Sequence, residues 1–172
     1  MKEYKLFVNN EWVPSGSGEI FSSYSGATGE KLGDFHAATE GDVDLACKAA
    51  RAAFKSGVWS RMNPHERARI MLKAADIMEE RWDELCRLEA LDTGKPINEV
   101  ETGDMPYSIF AFRYFANLSR EVKGDLISVP GEEYIHDYLT YEPWGVVAVV
   151  APYNFPLHLL TRSLAPAKLG QP

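Results

Sequence analysis

Apolar and polar positions follow three different rhythms along this chain. In the first, Leu6-Phe7-Val8 and Trp12-Val13 flank Asn9-Asn10-Glu11, which predicts a β-hairpin. Ser15-Gly16-Ser17-Gly18 reads as a surface loop. Its glycines open like a dinucleotide fingerprint, but Phe21 stands at the third glycine and no strand-to-helix context surrounds it. A turn at Ala27-Thr28-Gly29-Glu30 precedes a short strand over residues 31–36.

The second rhythm is helical. Thr39, with Asp42 three residues on, predicts a capped helix start. Val43, Ala46, Cys47, Ala50, Ala53 and Phe54 share one face, and the helix is expected to end near Ser56-Gly57. On that face Cys47 reads as a core residue. Asn63-Pro64-His65-Glu66 predicts a second start, followed by an apolar stripe of Ile70, Leu72, Ala74, Ile77 and Met78. A further piece over residues 82–92 stops at Thr93-Gly94, with Cys86 in a structural role. Residues 97–118 form a third helical stretch rich in aromatics.

The third rhythm returns to β. Residues 125–129 and 134–141 read as strands, the second alternating in part as an exposed or subunit-facing strand does. Residues 145–151 are apolar on both faces, as a central parallel strand covered by helices would be. Pro152-Tyr153-Asn154-Phe155-Pro156 interrupts the run, and Leu157, Leu160, Thr161 and Leu164 resume a helical stripe. Strands mixed with helices, and one strand–turn–helix unit, make the class α/β.

Composition narrows the function. The 172 residues carry 18 Lys plus Arg against 25 Asp plus Glu, a net charge of −7. That balance argues against nucleic acid and against an acidic membrane surface as partners. Two cysteines without metal-like spacing, and no apolar signal core after Met1, lead to the expectation of a reduced, cytoplasmic setting and no metal. His65 and His158 read as structural or exposed.

Ligands of open α/β sheets bind beyond the carboxyl ends of strands, where Tyr153 and Asn154 fall. Pro152 and Pro156 stiffen that turn. A carboxamide held there is a neutral, preorganised donor suited to an oxyanion. The same Asn154 equally suits a cap for the following helix.

The run Val146-Val147-Ala148-Val149-Val150-Ala151-Pro152-Tyr153-Asn154-Phe155-Pro156 resembles the signature strand and turn of the aldehyde dehydrogenase superfamily, with Tyr153 in place of the usual tryptophan. Leu6 to Val13, Ala27-Thr28-Gly29-Glu30, Asn63-Pro64-His65-Glu66-Arg67-Ala68, Leu91-Asp92-Thr93-Gly94-Lys95-Pro96 and Glu142-Pro143-Trp144-Gly145 resemble further family segments in the right order. The resemblance implies an incomplete α/β fold: an N-terminal helical portion, an oligomerisation-arm strand and the first βα unit of a Rossmann-like NAD-binding domain. It divides the chain into 1–130 (hairpin and helices), 131–144 (arm strand and lead-in) and 145–172 (first strand, turn and helix).

The resemblance further implies NAD(P)-dependent oxidation of a small aldehyde to a carboxylate by a cysteine thiolate, in a homo-oligomer. Asn154 matches the oxyanion-hole asparagine, and Val150, Ala151, Pro152, Tyr153 and Asn154 match the segment beside the nicotinamide and ribose. Neither Cys47 nor Cys86 matches the nucleophile, and the general-base glutamate lies beyond this sequence. The expectation is a truncated chain, inactive by itself and binding NAD or NADP weakly or not at all. The departure from the family pattern at Lys168-Leu169-Gly170-Gln171-Pro172 fits truncation, a frameshift or a cloning boundary alike. The alternatives are a non-catalytic subunit that docks on full-length relatives and an unrelated α/β nucleotide binder using the turn at Asn154.

Overall fold

Asn9 and Asn10 both take positive φ, 53° and 65°. Two left-handed residues in succession match the right-handed twist of flanking strands, and asparagine tolerates them. They join β2 (Leu6–Val8) to β3 (Glu11–Val13), antiparallel with Leu6 opposite Val13. A computed structural model of the chain describes residues 2–131 and 134–169. Met1, Glu132, Glu133 and the predicted departure at Gly170, Gln171 and Pro172 lie outside the described residues.

A second small sheet has the order β1 (Glu3–Tyr4), β5 (Lys31–His36), β4 (Ile20–Tyr24). The strand expected after the turn at Gly29 is β5, which pairs antiparallel with β4 and parallel with β1. Tyr4 and Phe35 stack across the parallel pair at 4.7 Å. Sequence periodicity missed β1 and β4: the first is two residues long, and the second carries Ser22 and Ser23 amid its apolar positions.

Helix starts and stops follow the local chemistry. At α1 (Glu40–Ser56) the Thr39 hydroxyl accepts from the Asp42 N–H, and the Asp42 carboxylate accepts from the Thr39 N–H. Asp42 also accepts from the Gly16 N–H, tying the early loop to this cap. These donors hold the Asp42 carboxyl below the usual carboxylate range, with the Thr39 N–H the largest cause. Gly57 ends the helix in the left-handed conformation. At α2 (Pro64–Glu80) Asn63 accepts from the His65 N–H.

Burial corrects two expectations. No residue of α1 is buried, and Cys47 is exposed. The face carrying Ala46, Ala50 and Ala53 instead lines a groove with Phe7 and Val8 of the hairpin. In α2 the buried stripe is Ala68, Met71 and Ala75, whereas Ile70 and Ile77 are exposed. Ala68 and Ala75 on that face let neighbouring helices approach closely, and Met71 fills the space between them.

Ala68 and Met71 pack with Ala111, Ala116 and Ala165. Ala75 packs with Cys86, Val100, Met105 and Ile109. These two clusters bind α2, α3 (Trp82–Thr93), α5 (Met105–Leu118) and α6 (Pro156–Leu169) into one helical body. Cys86 has the structural role expected of it; burial pushes its thiol up.

The stretch 97–118 is not one regular helix. After the short α4 (Ile97–Glu99), a π-helical turn spans Val100–Asp104, and the Met105 N–H bonds back to Val100. Pro106 supplies the reason. It has no N–H for the carbonyl four residues back, and its ring crowds that carbonyl; a wider turn relieves both. Asp104 closes this turn and is buried.

The last strands pair as a hairpin: β6 (Asp125–Ser128) lies antiparallel to β7 (His136–Leu139) and exposes every residue. Residues 145–151 depart from expectation. They form no ladder with any described strand, and Val147 and Val150 are exposed. A parallel strand needs neighbours on its edges to hold its N–H and C=O groups, and no described strand stands beside this one.

Candidate functional site

The turn after residue 151 opens into a cleft of about 530 Å³ lined by Ser23, Asp92, Thr93, Lys95, Tyr153, Asn154 and Phe155. Three separate parts of the sequence meet there: strand β4, the end of α3 and the turn before α6. Gly94 makes the approach possible. Its φ is +77°, and an added Cβ would lie 3.0 Å from the Gly26 backbone. Ser23 donates to Asp92 across the cleft at 3.0 Å.

Asn154 is exposed, and its side chain makes no hydrogen bond to any described residue. The cap that local reading allowed it is supplied from elsewhere. Glu89, on α3, accepts from the Leu157 N–H at 3.3 and 3.4 Å with its two oxygens. A carboxylate at a helix N-terminus meets both unpaired N–H groups and the positive end of the dipole. Glu89 is only 7% exposed, and burial raises its carboxyl above the usual range. The Leu157 N–H and Lys95 oppose that rise, and Asp104 and Asp92 add to it.

Beneath the turn lies a buried ion pair. Lys95 donates to Asp104 at 2.7 Å, with the two side chains 14% and 4% exposed. The same ammonium sits 3.4 Å from the centre of the Phe155 ring. Phe155 in turn meets His158 edge-on, and His158 stacks on Tyr107. The chemistry-bearing residues of the turn are thus backed by charged and aromatic groups on α3, the π-helical turn and α5.

Of the residues predicted from sequence, Asn154 and Tyr153 line the cleft, and Val150, Ala151 and Pro152 lead into it, all exposed. Glu89, Lys95 and Asp104 escaped the sequence reading. One signal was available: Glu89 interrupts the apolar spacing of Cys86 and Ala90 on α3, and a charge on a buried face needs a partner. Among the described residues no group of acidic, histidine or cysteine side chains could hold a metal ion. No helix among them is long and apolar enough to cross a membrane.

A family model described as "Aldehyde dehydrogenase family" matches residues 12–170, and the chain belongs to that family. DhaS of Bacillus subtilis is 46% identical over 153 residues, covering 89% of this chain and 30% of that protein. Aldehyde dehydrogenase 1 of Tanacetum cinerariifolium is 40% identical over 167 residues, covering 97% and 33%. The NAD⁺ complex of an aldehyde dehydrogenase from Bacillus cereus superposes with a TM-score of 0.92 at 38% identity, over 98% of this chain and 34% of that one. The chain therefore spans about a third of the length of these relatives.

Proposed function

We propose that this chain supplies the oxyanion donor and one wall of the cofactor site in an NAD(P)-dependent aldehyde dehydrogenase. One observation carries the reading: Asn154 is exposed in a cleft, and Glu89 has taken over the capping that would otherwise occupy it. Its carboxamide is free to donate to oxygen charge developing on a substrate carbonyl. Being neutral, it donates equally at every physiological pH.

The segment before it fits the cofactor. Val150 and Tyr153 are each 91% exposed, and residues 150–153 carry no charge. Val150, Ala151, Pro152 and Tyr153 offer apolar contact to a flat pyridine ring and its ribose, with Asn154 at the edge of the same surface. When bound, the dinucleotide supplies the hydride acceptor. The nucleophile comes from outside this chain. Cys47 lies on α1 and Cys86 is buried in the helical core, and neither lines the cleft. The isolated chain is therefore inactive toward aldehydes, and with only one wall of the cofactor site it holds NAD⁺ or NADP⁺ weakly or not at all.

The exposed β6–β7 hairpin, with Tyr138 73% and Leu126 61% exposed, supports an oligomerisation arm in a homo-oligomer. It equally supports the second reading, a non-catalytic subunit that docks on full-length relatives. Light scattering of the chain alone and mixed with the Bacillus cereus relative separates them: stable co-migration with unchanged turnover favours the second.

The first reading is tested by joining residues 1–169 to the rest of the Bacillus cereus enzyme and measuring NADH formation. Asn154→Ala is expected to lower kcat by about 10²–10³. Full kcat in that variant would overturn the assignment.

A further inference from the structure

Pro152 fixes its own φ and biases residue 151; Pro156 does the same for itself and residue 155. Asn154 escapes both restraints, and its side chain bonds to no described residue. Something else must hold it if it is to act as a preorganised donor. Two charged side chains of low exposure, Lys95 and Glu89, hold the residues that follow it. Lys95 presses its ammonium on the ring of Phe155, one residue later in the chain. Glu89 grips the Leu157 N–H, three residues later.

We propose that Lys95 and Glu89 are positioning residues for Asn154: the Lys95–Phe155 contact and the Glu89–Leu157 hydrogen bond anchor the turn that carries the carboxamide. The proposal rests on the reading of Asn154 as the oxyanion donor.

Stability alone does not account for the arrangement. Apolar side chains of similar volume commonly serve a core as well as a buried ion pair does. The Lys95–Asp104 pair is different in having a third member. Asp104 supplies the countercharge 2.7 Å from the ammonium, and a ring face attracts a cation. The π-helical turn brings Asp104 to that place. Glu89 adds a second anchor from α3, near its end and before the glycine that precedes Lys95. One anchor thus comes from α3 and the other from the residue just past its glycine stop, so the turn is referenced to that end of α3 rather than to the open segment before it.

The test starts with nitrogen relaxation of the chain itself. The backbone N–H groups of Tyr153, Asn154 and Phe155 are expected to have order parameters near 0.85 in the parent, a rigid value, and in Lys95→Arg, which keeps the cation. They are expected to fall below about 0.6 in Lys95→Met/Asp104→Asn, which removes both members of the ion pair together, and in Phe155→Leu, which leaves the ion pair whole. Glu89→Ala loosens the turn and Glu89→Gln, which retains an acceptor, does not. Helix α2 serves as the internal reference and stays rigid throughout.

In the joined enzyme, Lys95→Met/Asp104→Asn is expected to lower kcat about tenfold or more. KM for NAD⁺ and aldehyde should stay within about twofold and the titre of active sites unchanged, which a general loss of structure would not allow. Equal rigidity in the parent and all loosening variants overturns the proposal, as does an unchanged kcat where Asn154→Ala is crippled. If Asn154→Ala itself keeps full kcat, the oxyanion reading falls, and the relaxation data still decide whether the anchors hold the turn.

Discussion

The ammonium of Lys95 lies 3.4 Å from the centre of the Phe155 ring, although 60 positions separate the two residues in the chain. Gly94, in the left-handed conformation, lets the backbone before Lys95 pass against Gly26. Gly94→Ala therefore adds a side chain in a conformation that costs L-residues about 1–2 kcal/mol, besides a close contact. Urea unfolding should show a loss of at least that size. An unchanged midpoint would contradict the close approach of Gly94 to Gly26.

Glu89 makes stability depend on pH with a definite sign. Its carboxyl is raised in the folded chain, so the folded state binds the proton more readily than the unfolded state. The contribution is complete below the ordinary glutamate value of about 4.3 and is lost as pH rises through the higher folded value. Unfolding free energies of the parent minus those of Glu89→Gln, from about pH 4 to pH 8, should therefore fall with rising pH. A difference that rises over that range would contradict the direction of the shift.

Met71 and Ile70 are neighbours in sequence with opposite fates. Met71 is 2% exposed and Ile70 46%. Met71→Ala should destabilise by about 2–5 kcal/mol. Ile70→Ala should change stability by less than about 0.5 kcal/mol. Comparable losses at both positions would restore the apolar stripe expected from sequence.

The cysteines offer a chemical check on the same helical body. Cys47 should react readily with a thiol reagent in the native chain. Cys86 is fully buried and its thiol is pushed up, so it should react only after denaturant is added. Counting modified thiols by mass spectrometry before and after unfolding separates the two; native labelling of Cys86 would count against the packing of α3.

Those contrasts mark where local chemistry suffices and where it does not. The Asn9-Asn10 turn, the Thr39 and Asn63 caps and the glycine stops at Gly57 and Gly94 each depend on a few adjacent residues, and each is legible in the sequence. The buried face of α2 depends on which helices lie against it, so apolar spacing alone put it one position out. The widened turn at 100–104 had its cause in plain sight at Pro106, but an aromatic-rich helical pattern concealed it. Asn154 and Tyr153 were legible as candidates because a stiff turn follows an apolar run. Lys95, Asp104 and Glu89 were not, because their partners lie 9 to 68 residues away.

Val146, Val147, Ala148, Val149, Val150 and Ala151 pair with no described strand. Six uncharged apolar residues, four of them valine, without a proline are the kind of segment from which stacked fibrils grow. Concentration and storage time thus become experimental variables for the separate chain. Turbidity and dye-binding time courses should be run before any solution measurement on it is interpreted, and a lysine placed at Val149 is the change that would lengthen its shelf life.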